Sequence, residues 1–412
     1  MQKKSLKFGR YDFASYSAFV MYSMCSLAIP LMIVAMGKSL NFPLDEGGMA
    51  SGGVLHAARC AFMILSLLGC SFIAAKIGKR YSMGFSILFF GTGILLCALC
   101  PEYKYLFPCL ILVGLGEGVC EGIATPFIQD MHLDEPERYV NIGHSFWSVG
   151  IGCAVIIIGG LLSLGVHWRI ILGIIGILTL LSSLGFLLKE NPAKRYPEVK
   201  EKINFSDILS QTKTIINKKR FWLCCLAMFF GAGAEFGLTF WSAAYIELTF
   251  QTSSFVAGLG TGAIAIGMFI GRAYFGYIAK PDNLRYILVC CAGATIPITV
   301  TLALLKYCNG TLPVYLIFIV LFLLLFIAGI GISPYWPTTQ VYGVQNLPDC
   351  DSTLLYVYYS AMGIPGCGFF SWLMGAVGDR FGTTGTIAVV PCCLCIFLSI
   401  IFYECWLNKD KN

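Results

Sequence analysis

The chain has 412 residues, 57% of them hydrophobic and only 12% charged, with a formal net charge of +6 and a mean hydropathy of +0.77. A soluble chain carries about a quarter charged residues, so the composition argues against a soluble multidomain enzyme. Its apolar residues fall in long helical blocks, without the alternating ten-residue pattern of an outer-membrane barrel.

The chain opens on MQKKSLKFGR, a basic segment before an apolar run that is too long for a secretory signal and lacks a small-residue cleavage site. It reads as the first of twelve apolar runs, at 12–37, 48–75, 81–101, 105–128, 140–164, 168–188, 221–248, 253–279, 285–306, 312–338, 352–378 and 384–407. Most can cross ~30 Å of hydrocarbon as helices. The expected fold is an all-α membrane protein with twelve transmembrane helices. Nearly all of the 19 cysteines lie inside these runs, where a thiol behaves as a small hydrophobe. Neither a metal nor a redox centre is expected, and Cys392, Cys393 and Cys395 sit mid-helix.

Polar residues inside the runs carry the functional information, because an ionisable group in hydrocarbon faces a bundle interior or a watery cavity. The second run holds His56 and Arg59. The fourth contains GLGEGVCEGIATPF, Gly114 to Phe127. There Glu117, Glu121 and Thr125 form one stripe at i, i+4 and i+8. Gly114, Gly118 and Gly122 form a parallel stripe that permits close helix approach, and Pro126 disturbs the backbone beyond it. Arg59 and Glu117 lie at matching depths below the outer ends of their spans, so they are expected to pair and leave Glu121 as the titratable member. The fifth run contributes His144 and Trp147, and the seventh Glu235 and Trp241. The tenth contributes Tyr335 and Trp336. Trp147, Trp241, Tyr335 and Trp336 are candidates to offer flat faces to a ring-shaped ligand. Arg272, near the inner end of the eighth run, reads as a structural, snorkelling arginine.

Charge in the connecting segments sets the expected orientation. With the N-terminus inside, 21 of the 28 Lys and Arg fall on inward segments and five (Lys38, Lys104, Arg169, Lys306 and Arg380) on outward loops. That is the positive-inside pattern, with both termini cytoplasmic. The net charge thus reports membrane orientation, and no nucleic-acid partner is expected. The longest polar interruption divides the chain into a six-helix half at 1–189, a cytoplasmic linker at 190–220 and a second six-helix half at 221–412. This 6 + 6 layout resembles the major facilitator superfamily, whose members bind substrate between the halves and alternate access by rocking them.

A narrower resemblance rests on motifs. Glu121, four residues, then Pro126-Phe127, followed by Asn141-x-x-His144-x-Phe146-x-Ser148-x-Gly150, is similar to the fourth and fifth helices of the fucose–galactose–glucose:proton symporters. Gly271-Arg272 and YWPTTQVYGVQNL, Tyr335 to Leu347, resemble the same family in the second half. The resemblance implies that Glu121 occupies the position of a membrane-embedded Glu tied to proton-linked sugar transport. It places His144 on a substrate-contacting Gln, Trp147 on an Asn, and Glu235 on a Gln of the seventh helix. Aligning Ile29-Pro30 puts Ser26 where the family has an essential Asp, and Ser23 where it has an Asn. One proton-linked carboxylate is therefore missing. Coupling then rests on Glu121 with Glu117 or Glu235, or the protein is a uniporter, or it uses another ion. The superfamily's Gly-x-x-x-Asp-Arg-x-Gly loop is replaced by SFIAAKIGKR, with Lys76 at the usual Asp position. The GDRFG at Gly378–Gly382 reads as a chain-turning, charge-paired outer loop with no gating role.

The function expected is secondary transport of a small polar solute, a sugar or sugar derivative, across a bacterial inner membrane by a monomer, with proton or cation coupling left open and no other cofactor. The alternatives are a drug or metabolite efflux pump of the same superfamily and a non-transporting nutrient sensor. No Walker-type loop, HExxH or GxSxG motif supports an enzyme. The sequon Asn309-Gly310-Thr311 is not expected to be glycosylated.

Overall fold

A computed structural model describes residues 7–134, 136–189, 195–197, 205–308 and 310–409, without the side chains of 136–138, 141, 205, 207 and 405–409. Asn309 of the sequon lies outside the described residues. The described chain is helical and carries no strand. Six helices come first: α1 (Arg10–Ser39), α2 (Met49–Ile77), α3 (Lys79–Leu99), α4 (Leu106–Met131), α5 (Pro136–Ala154) and α6 (Trp168–Leu187). A π-turn, Val155–Gly159, and a last helical turn, Gly160–Ser163, extend α5. α7 (Phe205–Ile216) follows, then α8 (Lys219–Phe250), α9 (Ser254–Ile278), α10 (Leu284–Leu304), α11 (Val314–Ile332), α12 (Tyr335–Gln345) and α13 (Ser352–Lys409).

Among the described residues, eleven segments are long and apolar enough to cross a membrane, the last being the 53-residue Ser352–Glu404. Gly382 (φ 71°, ψ −173°) breaks that segment into arms 352–381 and 383–409, so twelve spans result. The left-handed φ is open to glycine at little cost, and the chain reverses within the GDRFG segment expected to turn it. The run expected at 312–338, by contrast, is two pieces. α11 stops at Ser333-Pro334, and α12 restarts at Tyr335.

Helices α1–α6 pack on one another, chiefly α3 on α6, α2 and α3 on α4, and α5 and α6 on α1; α8–α13 do the same, chiefly α13 on α8 and α10, and α11 on α9. The two groups meet mainly where α2 lies along α13 and where the π-turn lies along α9. We call the end carrying Arg10, Ile77 and Met131 the terminal end, and the end carrying Ser39 and Met49 the far end. The seam between the groups lies at the far end. A Cβ on Gly53 would strike Ser371 O and Trp372 Cα, and one on Gly375 would strike Met49 O, so backbone meets backbone there. Asp379 accepts from Met49 N (2.7 Å) and Ala50 N (2.8 Å) across the seam. The GDRFG segment therefore does more than turn the chain: it caps the free N–H groups at the start of α2.

The linker is not uniformly loop. α7 is amphipathic and buries Ile215 against Phe221, Leu355 and Tyr359, while Thr212 Oγ1 meets Tyr358 OH at 2.5 Å. Tyr196 stacks on Phe127 at 4.3 Å and donates to Asp130 Oδ2 at 2.8 Å. Lys79 Nζ pairs with the same Asp130 at 3.1 Å, whereas Lys76, aligned with the superfamily's usual Asp, is exposed.

Candidate functional site: a carboxylate cluster between two helix groups

Two antiparallel helices supply the first layer. On α1, Tyr22 and Ser26 are one turn apart; on α4, so are Glu117 and Glu121. Because the helices run in opposite senses, the pairs register crosswise: Ser26 Oγ donates to Glu117 Oε1 at 3.0 Å, and Tyr22 OH donates to Glu121 Oε2 at 3.2 Å. α2 adds Arg59, whose Nε lies 3.2 Å from Glu117 Oε2. Thus the pair expected from matched depth forms. Glu117 is 0% and Arg59 7% exposed, so this is a desolvated ion pair, which requires each charge to be well compensated. Arg59 meets that demand with its other nitrogens: Nη1 donates to Ser26 O at 3.1 Å, and Nη2 meets His56 Nε2 at 3.3 Å.

The glycine stripe makes this register possible. A Cβ at Gly114 would strike Arg59 O, and one at Gly118 would strike Met63 O and Ser66 Oγ. α4 therefore lies directly on α2, and Glu117 projects beside Arg59 rather than past it.

Glu121 is different. It is half-buried, and among the described residues Tyr22 OH is its one hydrogen-bond donor. Farther towards the terminal end, Thr125 Oγ1 and His144 Nε2 lie 3.0 Å apart, and His144 is exposed. Phe19 lies beside His144 at 4.7 Å, and Trp147 meets Tyr22 edge to face at 4.6 Å. This face belongs to α1, α4 and α5.

The opposing group offers Glu235 of α8, bonded by Arg272 Nη2 at 2.8 Å. The carboxylate is 1% exposed, but the arginine side chain is 39% exposed. Arg272 is thus not merely a snorkelling residue. Its long stem carries the guanidinium back to the level of Glu235, near the middle of α8, where it neutralises that carboxylate. Trp336, at the start of α12, packs edge to face on Phe236 at 5.9 Å and is half-buried.

Three candidates lie away from this cleft. Ser23 is fully buried, its hydroxyl donating to Val20 O at 3.0 Å. Tyr335 is fully buried and packs on Phe397 at 5.1 Å. Trp241, 1% exposed, donates from Nε1 to Ser371 O at 2.9 Å and belongs to the seam. Neither of these two aromatics presents a face to the cleft; membership of an apolar run leaves the rotation of the helix open. Conversely, sequence alone does not single out Tyr22 or Ser371, and it gives Asp379 only as part of the charge-paired GDRFG turn, without its bonds to α2. Of the first two, Tyr22 has a signal, its i, i+4 spacing from Ser26.

Hydrogen bonds join the two groups in the far half: Asp379 to α2, Thr386 Oγ1 to Met49 Sδ (3.5 Å), Phe255 N to Ser163 Oγ (2.9 Å) and His56 to Ser371. Together with the exposure of His144 and Arg272, this makes a cleft that opens at the terminal end and closes at the far end.

A search of curated proteins found no match. Among solved structures, a bacterial homolog to human lysosomal transporter Spinster, in an inward-facing and unoccupied conformation, is similar with TM-score 0.74 and 15% identity, covering 97% of this chain and 98% of its own. The nucleoside transporter NupG gives TM-score 0.73 and 14% identity over 96% and 98%. The E. coli fucose:proton symporter FucP gives 0.60 and 17% over 96% and 98%. At these identities the likeness speaks for fold alone. The profile of the Major Facilitator Superfamily matches residues 14–350, well over half the chain, and the chain belongs to that superfamily of membrane transporters.

Proposed function

We propose that the protein is a proton-linked carrier of a small polar solute, a sugar or sugar derivative, working as a monomer in a bacterial inner membrane. The halves 1–189 and 221–412 are its rocking units. The observation that carries this reading is the charge balance of the cleft. Glu117 is matched by Arg59 and Glu235 by Arg272, which leaves Glu121, whose one donor among the described residues is a tyrosine hydroxyl, as the carboxylate free to exchange a proton as access alternates. The positive-inside count makes the terminal end cytoplasmic, so the present conformation faces inward, as the Spinster homolog's does. His144, Thr125, Trp147 and Trp336 line the path with hydrogen-bonding groups and flat aromatic surface, a combination suited to pyranose rings.

One observation favours a second reading. A lone carboxylate held by Tyr22, whose ring meets Trp147, also suits a lipophilic cation leaving in exchange for protons. Counterflow in proteoliposomes with labelled sugars, sugar acids and lipophilic cations separates the two. The sugar reading expects stereoselective sugar exchange, with Glu121→Gln abolishing pH-driven accumulation while exchange persists. Accumulation undiminished in that variant would overturn the coupling role.

A further inference from the structure

His56 joins the cleft to the seam. Its Nε2 meets Arg59 Nη2 at 3.3 Å. Arginine has no acceptor and keeps its proton, so this nitrogen must accept. The ring is then the neutral tautomer with its proton on Nδ1, and Nδ1–H donates to Ser371 Oγ at 2.9 Å, across the boundary from α2 to α13. The ring also stacks on Phe240 of α8, with centroids 4.9 Å apart and planes within 9°. Ser371 is held from its other side by the Trp241 indole on its carbonyl. Every member is out of water: Glu117 and Ser371 are 0%, His56 6% and Arg59 7% exposed. A continuous string of polar contacts therefore runs from Glu117 through Arg59 and His56 to the opposing half. The backbones it bridges touch at Gly53 against Ser371–Trp372 and at Gly368 against Ala57.

We propose that His56 is the positioning residue that couples the Arg59–Glu117 pair to closure of the far end: Arg59, held by Glu117, fixes the tautomer in which His56 bonds Ser371 and keeps the halves together. A solute group or proton that draws Arg59 and Glu117 apart frees Nε2, lets the ring lose its orientation, and weakens the seam from inside the cleft. Buried hydrogen bonds of this kind have two discrete arrangements, made or broken, as a switch between packed states requires. The proposal rests on the alternating-access reading above.

Its test is amide hydrogen exchange of the full chain in lipid nanodiscs, which needs no knowledge of the solute. Ser371→Ala, His56→Ala and Glu117→Gln are each expected to speed exchange about fivefold in 49–57 and 368–379. Each should also slow it in 142–150 and 270–279, where the cleft would close. Glu117→Gln is the discriminating variant, since its side chain touches only its own half. A purely structural role predicts faster exchange around 117 and an unchanged seam, and that result would overturn the proposal. If His56→Ala does not fold, Ser371→Ala and Glu117→Gln decide it. Counterflow on the same preparations keeps the two readings apart. Coupled exchange changes without transport of any panel solute would leave the latch standing and sink the carrier function. Transport without them would do the reverse.

Discussion

Ser26 sets the charge count of the cleft. Its hydroxyl donates to Glu117 Oε1 and brings no second carboxylate, so one arginine faces one carboxylate at that depth. The Arg59–Glu117 pair is then nearly self-contained, and removing one member strands the other in the interior. Arg59→Met is expected to cost about 3–5 kcal/mol, measured as a lowered unfolding temperature in detergent. Replacing both, as Arg59→Met with Glu117→Leu, should recover most of that loss, because two apolar groups leave nothing unpaired. A double variant as unstable as the single one would mean that the pair's value lies elsewhere. Matched depth along two helices was enough to read this pair from sequence. It was not enough for Trp241 and Tyr335, whose direction depends on helix rotation, which apolar runs with little periodic contrast do not encode.

At the scale of elements, α2 and α4 depend on the small residues between them. Lipid tails are as apolar as the side chains, so helices associate in a membrane by close packing rather than by hydrophobic expulsion. Gly118 of α4 sits against Met63 O and Ser66 Oγ, with no room for a Cβ, whereas Gly173 of α6 has nothing within 4 Å. Gly118→Val should destabilise the protein by about 1–3 kcal/mol or more and reduce folded yield, and Gly173→Val should do neither. Equal behaviour of the two in a thermal-shift series would contradict the α2–α4 contact. The same stripe was legible as a spacing pattern, and so was the reversal at Gly382, where the charged GDRFG segment separates two apolar runs. The other break was not: hydropathy runs unchanged through Ser333-Pro334, so the division of α11 from α12 is visible only in backbone geometry. α7 was hidden for another reason: a charged linker masks an amphipathic turn whose apolar side is only a few residues wide.

For the whole molecule the question is how the balance between two packings is held. The far end is closed by contacts of modest individual size, and Asp379 is one that can be altered without touching the cleft. Its two oxygens accept from the first amides of α2, a carboxylate at a helix N-terminus, where the dipole favours negative charge. The residue is exposed, so water and salt screen it, and a cap of this type is worth about 1 kcal/mol. That is about a fivefold change in the ratio of the two conformations, small against global stability but comparable to the bias a transporter must reverse in each cycle. Asp379→Asn keeps the size and one acceptor while removing the charge. It is expected to leave the unfolding temperature within a degree or two and to shift exchange towards the far-open form. The shift should shrink in high salt, because the lost interaction is electrostatic. If the conformational ratio stays fixed at low salt, the glycine-lined backbone contact of α2 with α13 closes the far end by itself, and the carboxylate only completes a helix cap.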